Sequence, residues 1–163
     1  MTPPPSPKRR KLRLLRAGDL PSDATLLIRA TPASVDAAVT DLAAGALDSA
    51  EIYEVELPDG RRVSLYAVSV FSRPGGADPN ELLRRFPRAP CYLEASVAAV
   101  RSAGFAVLPT GATPEHYDIL LVGSGAPVRV SPSMAELTSA ARRLVEVCGE
   151  MRPNPSYAGG VYG

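Results

Sequence analysis

The 163-residue chain has no tryptophan, one histidine, two cysteines and two lysines. Each shortage excludes something. A structural zinc site takes four Cys or His ligands, and Cys91, Cys148 and His116 supply three with no C-x-x-C spacing. No metal and no cofactor is therefore expected. Two isolated cysteines do not make a disulfide framework, so both thiols are expected to be free, in a reducing cytosol. No apolar run approaches the ~20 residues that cross a bilayer, so no membrane partner is expected. The basic stretch near the N-terminus runs into Ala17-Gly18-Asp19-Leu20-Pro21 without the apolar core of a secretory signal. The expected location is cytoplasmic. Apart from Lys8 and Lys11 every cation is Arg, and Ala is plentiful. This is read as the codon bias of a GC-rich genome, not as chemistry.

What is present fits a soluble globular protein. The chain is 45% hydrophobic and 21% charged, close to the average for such domains, and its length suits one domain. The net charge of +1 conceals a split. Residues 1–18 hold Lys8, Arg9, Arg10, Lys11, Arg13 and Arg16 and no acid, a charge of +6. The rest holds twelve basic and seventeen acidic residues, a charge of −5. An acidic body carries a basic arm, so the whole-domain basic footprint of a nucleic-acid binder is missing.

Residues 1–20 open on Thr-Pro-Pro-Pro-Ser-Pro and continue Lys-Arg-Arg-Lys. Dense proline blocks helix and interior strand, and like charges extend the segment. A disordered arm is expected over 1–20, an α+β domain over 21–151 and a flexible tail over 152–163. Within the body, 25–30 reads as a short apolar strand. Thr31-Pro32 reads as a cap and first turn. Val35, Val39, Leu42 and Ala46 give one helical face over 32–46. Residues 51–57 and 61–72 read as a hairpin closed by Pro58-Asp59-Gly60. Val63, Leu65, Ala67 and Phe71 share one face of its second strand, and Tyr66, Val68 and Val70 the other. Apolar residues on both faces predict an interior strand.

Pro74-Gly75-Gly76 ends that strand, and Asp78-Pro79-Asn80-Glu81 opens a short helix as a capping box. Strand 91–94 follows, then a helix capped by Ser96 and ended near Gly104, then strands at 105–108 and 116–122. Gly123-Ser124-Gly125 reads as a turn and 128–130 as a small edge strand. Ser131-Pro132 caps a last helix over 132–150, with Met134, Leu137, Ala141, Leu144, Cys148 and Met151 on one face. The expected fold is a single α+β domain. It has a mixed or antiparallel sheet of about five to six strands packed by three to four helices.

Three residues are candidates for catalysis. His116, at a strand start, shares a face with Asp118. It suits a general acid or base oriented by an acid, although a strand-end histidine bonded to backbone is the favoured reading. Ser69 interrupts an apolar strand, where a buried hydroxyl needs a partner; a ligand is one candidate and a neighbouring backbone carbonyl the favoured one, and no G-x-S-x-G elbow surrounds it. Arg29 is the one charge in the first strand and would need an anionic partner, a phosphate or carboxylate, if it faced inward, although an exposed face or a strand end is the favoured position. Glu54 and Glu56 read as the solvent face of the hairpin. In the arm, Lys8, Arg9, Arg10, Lys11, Arg13 and Arg16 are candidates for contact with a partner or with nucleic-acid phosphates, without an aromatic residue to stack bases.

The runs Val-Ser-Val-Phe (68–71), Ala-Gly-Phe-Ala-Val-Leu-Pro-Thr (103–110), His-Tyr (116–117) and Arg-Pro-Asn-Pro (152–155) resemble a set of small uncharacterised bacterial proteins from GC-rich genomes. The resemblance covers about residues 20–155 and implies no known activity. It adds weight to Ser69, His116 and Tyr117. A more distant analogy is to ADP-ribosyltransferase-like folds, in which Arg29, Ser69 and Glu115 would be the early-strand arginine, the inner-strand serine and the acid. The Ser-Thr-Ser of that family is missing here.

Three functions follow as expectations. The first is a non-catalytic cytosolic protein-interaction module with a protein partner. The second is a small enzyme acting on a nucleotide or phosphate-bearing substrate. The third is nucleic-acid association through the arm.

Overall fold

The computed structural model describes residues 11–15, 21–57, 59–73, 78–110, 113–122 and 132–159. Two sheets and four helices make an α+β fold. β2 (Leu26–Thr31), β5 (Ala67–Arg73), β6 (Cys91–Ser96), β7 (Ala106–Leu108), β8 (His116–Leu120) and β9 (Arg152–Pro153) form an antiparallel sheet in the order β7-β8-β5-β2-β6-β9. β1 (Lys11–Arg13), β3 (Tyr53–Glu56) and β4 (Arg62–Ser64) form a smaller sheet, with β1 parallel to β3 and β4 antiparallel to it. The helices are α1 (Val35–Ile52), α2 (Asn80–Leu83), α3 (Val97–Ser102) and α4 (Met134–Cys148).

Strand alternation decides the layering. Leu27, Val68, Val70, Leu93, Tyr117 and Ile119 pack in one core with Leu42 and Ala46 of α1, Val100 of α3 and Leu137 and Leu144 of α4. Ile28 and Tyr92 point the other way and meet Leu83 of α2. Leu65 and Ala67 join Val55, beside Leu108 and Leu120, to form a third cluster under the small sheet. β5 is therefore covered on both faces, as its two apolar faces required.

Helix boundaries follow serine caps. Ser34, Ser96 and Ser133 each accept a hydrogen bond from a backbone N–H of the first turn, at Ala37, Ala99 and Glu136. Ser96 is the expected cap. The other two correct the sequence reading. Thr31 instead ends β2 and is fully buried, so α1 starts later than expected and runs on to Ile52. α4 starts from Ser133, and Ser131 lies outside the described residues with Gly123-Ser124-Gly125 and the 128–130 segment. The C-terminus of α4 is set by Gly149, at φ 72° and ψ −134°, a conformation that side chains with a Cβ avoid.

Three further expectations need correction. The strand read over 61–72 is two strands. The chain leaves the small sheet after Ser64 and enters the large one at Ala67, because Leu65 and Tyr66 are buried in different clusters. The tail over 152–163 is docked through residue 158. β9 pairs with β6, and the buried Asn154 amide donates to the carbonyls of Phe86 and Ala89 at 3.0 and 2.8 Å. Its side-chain oxygen also accepts from Ser156 N–H. Within the arm, Lys11–Arg13 is strand β1, in register Lys11↔Tyr53, Leu12↔Glu54 and Arg13↔Val55. The edge of β3 opposite β4 supplies its backbone partners, and a buried acid compensates the charge of Arg13. Lys8, Arg9, Arg10 and Arg16 lie outside the described residues.

Candidate functional site

Asp118 is the most buried charged group of the sheet, 1% exposed. It stands on β8 opposite Ser69 of β5 and Leu108 of β7. An uncompensated carboxylate there would cost several kcal/mol, and the fold brings it three donors. Arg13 Nη1 donates to Oδ2 at 2.8 Å and Ser69 Oγ to Oδ1 at 3.3 Å. Thr110 Oγ1 makes a third bond to Oδ2. The Arg13 guanidinium also lies 3.9 Å above the Tyr53 ring. A residue of the N-terminal segment, one of β5 and one after β7 thus converge on the single carboxylate of β8.

Arg29 works on the other face of the sheet. It shares a face with Leu27, toward α1, where Nη2 meets Asp41 at 3.3 Å. Its Nη1 donates to the backbone carbonyl of Ser69 at 2.8 Å. Arg29 and Ser69 are therefore neighbours through the main chain, while the Ser69 hydroxyl is turned to Asp118. Arg29 thus faces inward with an anionic partner, and not on an exposed face or at a strand end as the sequence favoured.

His116 does not join them. It pairs with Phe71, two residues beyond Ser69 along β5, or about 6–7 Å of strand rise. Its ring packs edge-on against Phe71 at 5.3 Å, and Phe71 meets Phe86 at 5.6 Å. Glu115 pairs with Arg85 at 3.5 Å on the surface. Its carboxyl is held below the usual range, first by its own backbone N–H and then by Arg85. The acid beside the serine is thus Asp118, not Glu115. His116 and Asp118 do share a strand face, as alternation implied.

A second charged cluster sits near the far edge of the sheet. Glu94 of β6 is nearly buried and meets Arg73 of β5 at 3.2 Å, with Arg152 of β9 at 4.0 Å. Cys91 and Cys148 are free thiols. Burial, with a smaller contribution from the Glu94 charge, pushes the Cys148 thiol up to about 12. Among the described residues no three His, Cys, Asp or Glu side chains assemble as a metal site, and no helix is long and apolar enough to cross a membrane.

Sequence reasoning missed the roles of Arg13, Thr110 and Tyr53. The available signal was Asp118 itself, a lone acid in Tyr-Asp-Ile-Leu-Leu, which had to find a cation once that strand was buried. Nothing local named Arg13, 105 residues away. No protein-family model, curated protein or solved structure matches the chain.

Proposed function

We propose that this chain is a non-catalytic protein-interaction module acting in the cytosol. The observation that carries the reading is the seating of Lys11–Arg13 on β3. The body holds an extended basic segment of its own chain by backbone pairing along the edge of β3 opposite β4 and by one arginine in an acidic, aromatic socket. Strand addition with a side-chain anchor is a general way for a protein to take up an extended segment of a partner. The split among Arg29, Ser69 and His116 supports the same reading. The Ser69 hydroxyl bonds Asp118 while Arg29 meets Ser69 through the main chain, and His116 lies two residues further along the sheet with its ring against Phe71.

The test uses the full chain, tagged at its C-terminus and recovered from its native host at low and high salt. A single protein at fixed stoichiometry is expected, followed by saturable binding when the two purified chains are titrated against each other. That binding should weaken in the Asp118→Asn variant. A chain that elutes alone at every salt concentration, or a recovered protein that fails to bind when purified, overturns the proposal.

A further inference from the structure

The large sheet opens at one place. β2 and β5 pair from Leu26↔Arg73 to Ile28↔Phe71, and the ladder then stops although both strands continue. Arg29 reaches into the opening and ties it to Ser69 and Asp41. Beside it lies a notch of about 200 Å³. Its polar wall consists of Arg13, Arg29, Ser49, Tyr53 and Ser69, and Gly45 of α1 forms one side.

The electrostatics of this wall are asymmetric. Arg13 and Arg29 line the notch, whereas the residues whose carboxylates compensate them, Asp118 and Asp41, do not. A guanidinium carries five N–H groups. Among the described residues one N–H of Arg13 and two of Arg29 donate to protein acceptors. Donors therefore remain on two cations held by different strands. Gly45 keeps one of them uncovered, because a Cβ there would stand 3.6 Å from Arg29 Nη2.

We propose that this notch binds a phosphomonoester group. A phosphate brings three acceptor oxygens and a charge of about −1.5 to −2, which two guanidiniums from separate strands and the nearby hydroxyls can share. A carboxylate is satisfied by one arginine fork, and each of these arginines already holds one. The rest of the wall is apolar, including Ile52, Ala67 and Val68, and receives the organic part of the ester. Phosphate binding and the protein-interaction reading are independent, and either stands if the other fails.

The experiment titrates the full chain with phenyl phosphate, inorganic phosphate and benzoate at constant ionic strength, by calorimetry and amide NMR. One phenyl phosphate per chain is expected, with inorganic phosphate weaker and benzoate weaker by at least about tenfold. Gly45→Asp places a carboxylate against Arg29 and should weaken phenyl phosphate at least about tenfold, and Arg29→Lys, which keeps the charge and loses the fork, should do the same. Arg142→Ala, which removes an exposed cation paired with Asp36, should leave binding unchanged. If Gly45→Asp fails to fold, Arg29→Lys decides alone. Absence of saturable binding to the wild-type chain overturns the proposal. So does binding that both notch variants leave intact, which would assign it to the basic residues at 8–16, and so does benzoate binding as tightly as phenyl phosphate.

Discussion

Replacing Arg13 with Ala tests whether an ion pair fastens the N-terminal strand to the body. The variant strips Asp118 of its 2.8 Å cationic partner and leaves the carboxylate with Ser69 and Thr110 as donors. Breaking one side of a buried pair costs about 3–5 kcal/mol. The Arg13 side chain is 18% exposed, so water screens part of its attraction and can enter the space it vacates. Those effects reduce the expected loss to about 2–3 kcal/mol, to which the lost stacking on Tyr53 adds about 0.5–1 kcal/mol. In a domain of this size each kcal/mol lowers the melting temperature by about 2–4 °C, so a fall of about 5–16 °C is expected. The assay is urea unfolding of a double-mutant cycle with Asp118→Asn. The double variant strands neither charge and should recover at least about 1 kcal/mol relative to the sum of the singles. A cost for Arg13→Ala below about 0.5 kcal/mol, or strict additivity, would show that the pair does not hold β1.

Three other outcomes are expected. Because the folded Cys148 thiol is raised from 9.0 to about 12, the unfolded chain releases this proton first, and stability falls as pH climbs from about 9 towards 12. Wild type and Cys148→Ala should therefore converge or cross by up to about 1.4 kcal/mol per pH unit above pH 9 in denaturant titrations, and a pH-independent difference contradicts the burial of this thiol. Asn154→Ala strands the carbonyls of Phe86 and Ala89 and should cost about 1–3 kcal/mol, with faster hydrogen exchange over residues 152–158; protected amides there in the variant would refute the docking role. Leu42→Ala empties a fully buried position in the main core and should cost about 2–5 kcal/mol by chemical denaturation, and a loss below about 1 kcal/mol would mean that α1 is not packed as described.

Elements with strong local signals were legible. The turn at Asp59-Gly60, the Ser96 cap and the stripe of α4 from Leu137 to Cys148 are written within a few residues of where they act, whereas Met134, expected on the same stripe, is exposed. The two-faced apolar pattern around Val68 likewise announced an interior strand. Boundaries failed where a second signal competed. Thr31 is a good cap by type, but the core took it as the end of β2, and Ser34 was equally able to accept from the first turn of α1. The switch of sheets at Leu65 and Tyr66 was invisible, because strand alternation runs through it without a break.

The site was legible one residue at a time and not as an assembly. Arg29 was recognised as a charge in need of an anion, and Asp118 as an acid sharing a face with His116. Their partners, Asp41 in α1 and Arg13 in the basic arm, come from elements whose placement depends on how the layers stack.

Composition and periodicity by themselves determined an α+β body, an acidic charge for it, and a basic segment at its N-terminus. Tertiary structure alone decided that three residues of that segment would become a strand, that the tail after residue 151 would dock, and that two guanidiniums would share one notch. Patterning is a property of neighbours in the chain, read by helix and strand repeats of a few residues. A buried carboxylate is satisfied by whatever donor the folded chain brings within about 3 Å, and that donor can be a hundred residues away.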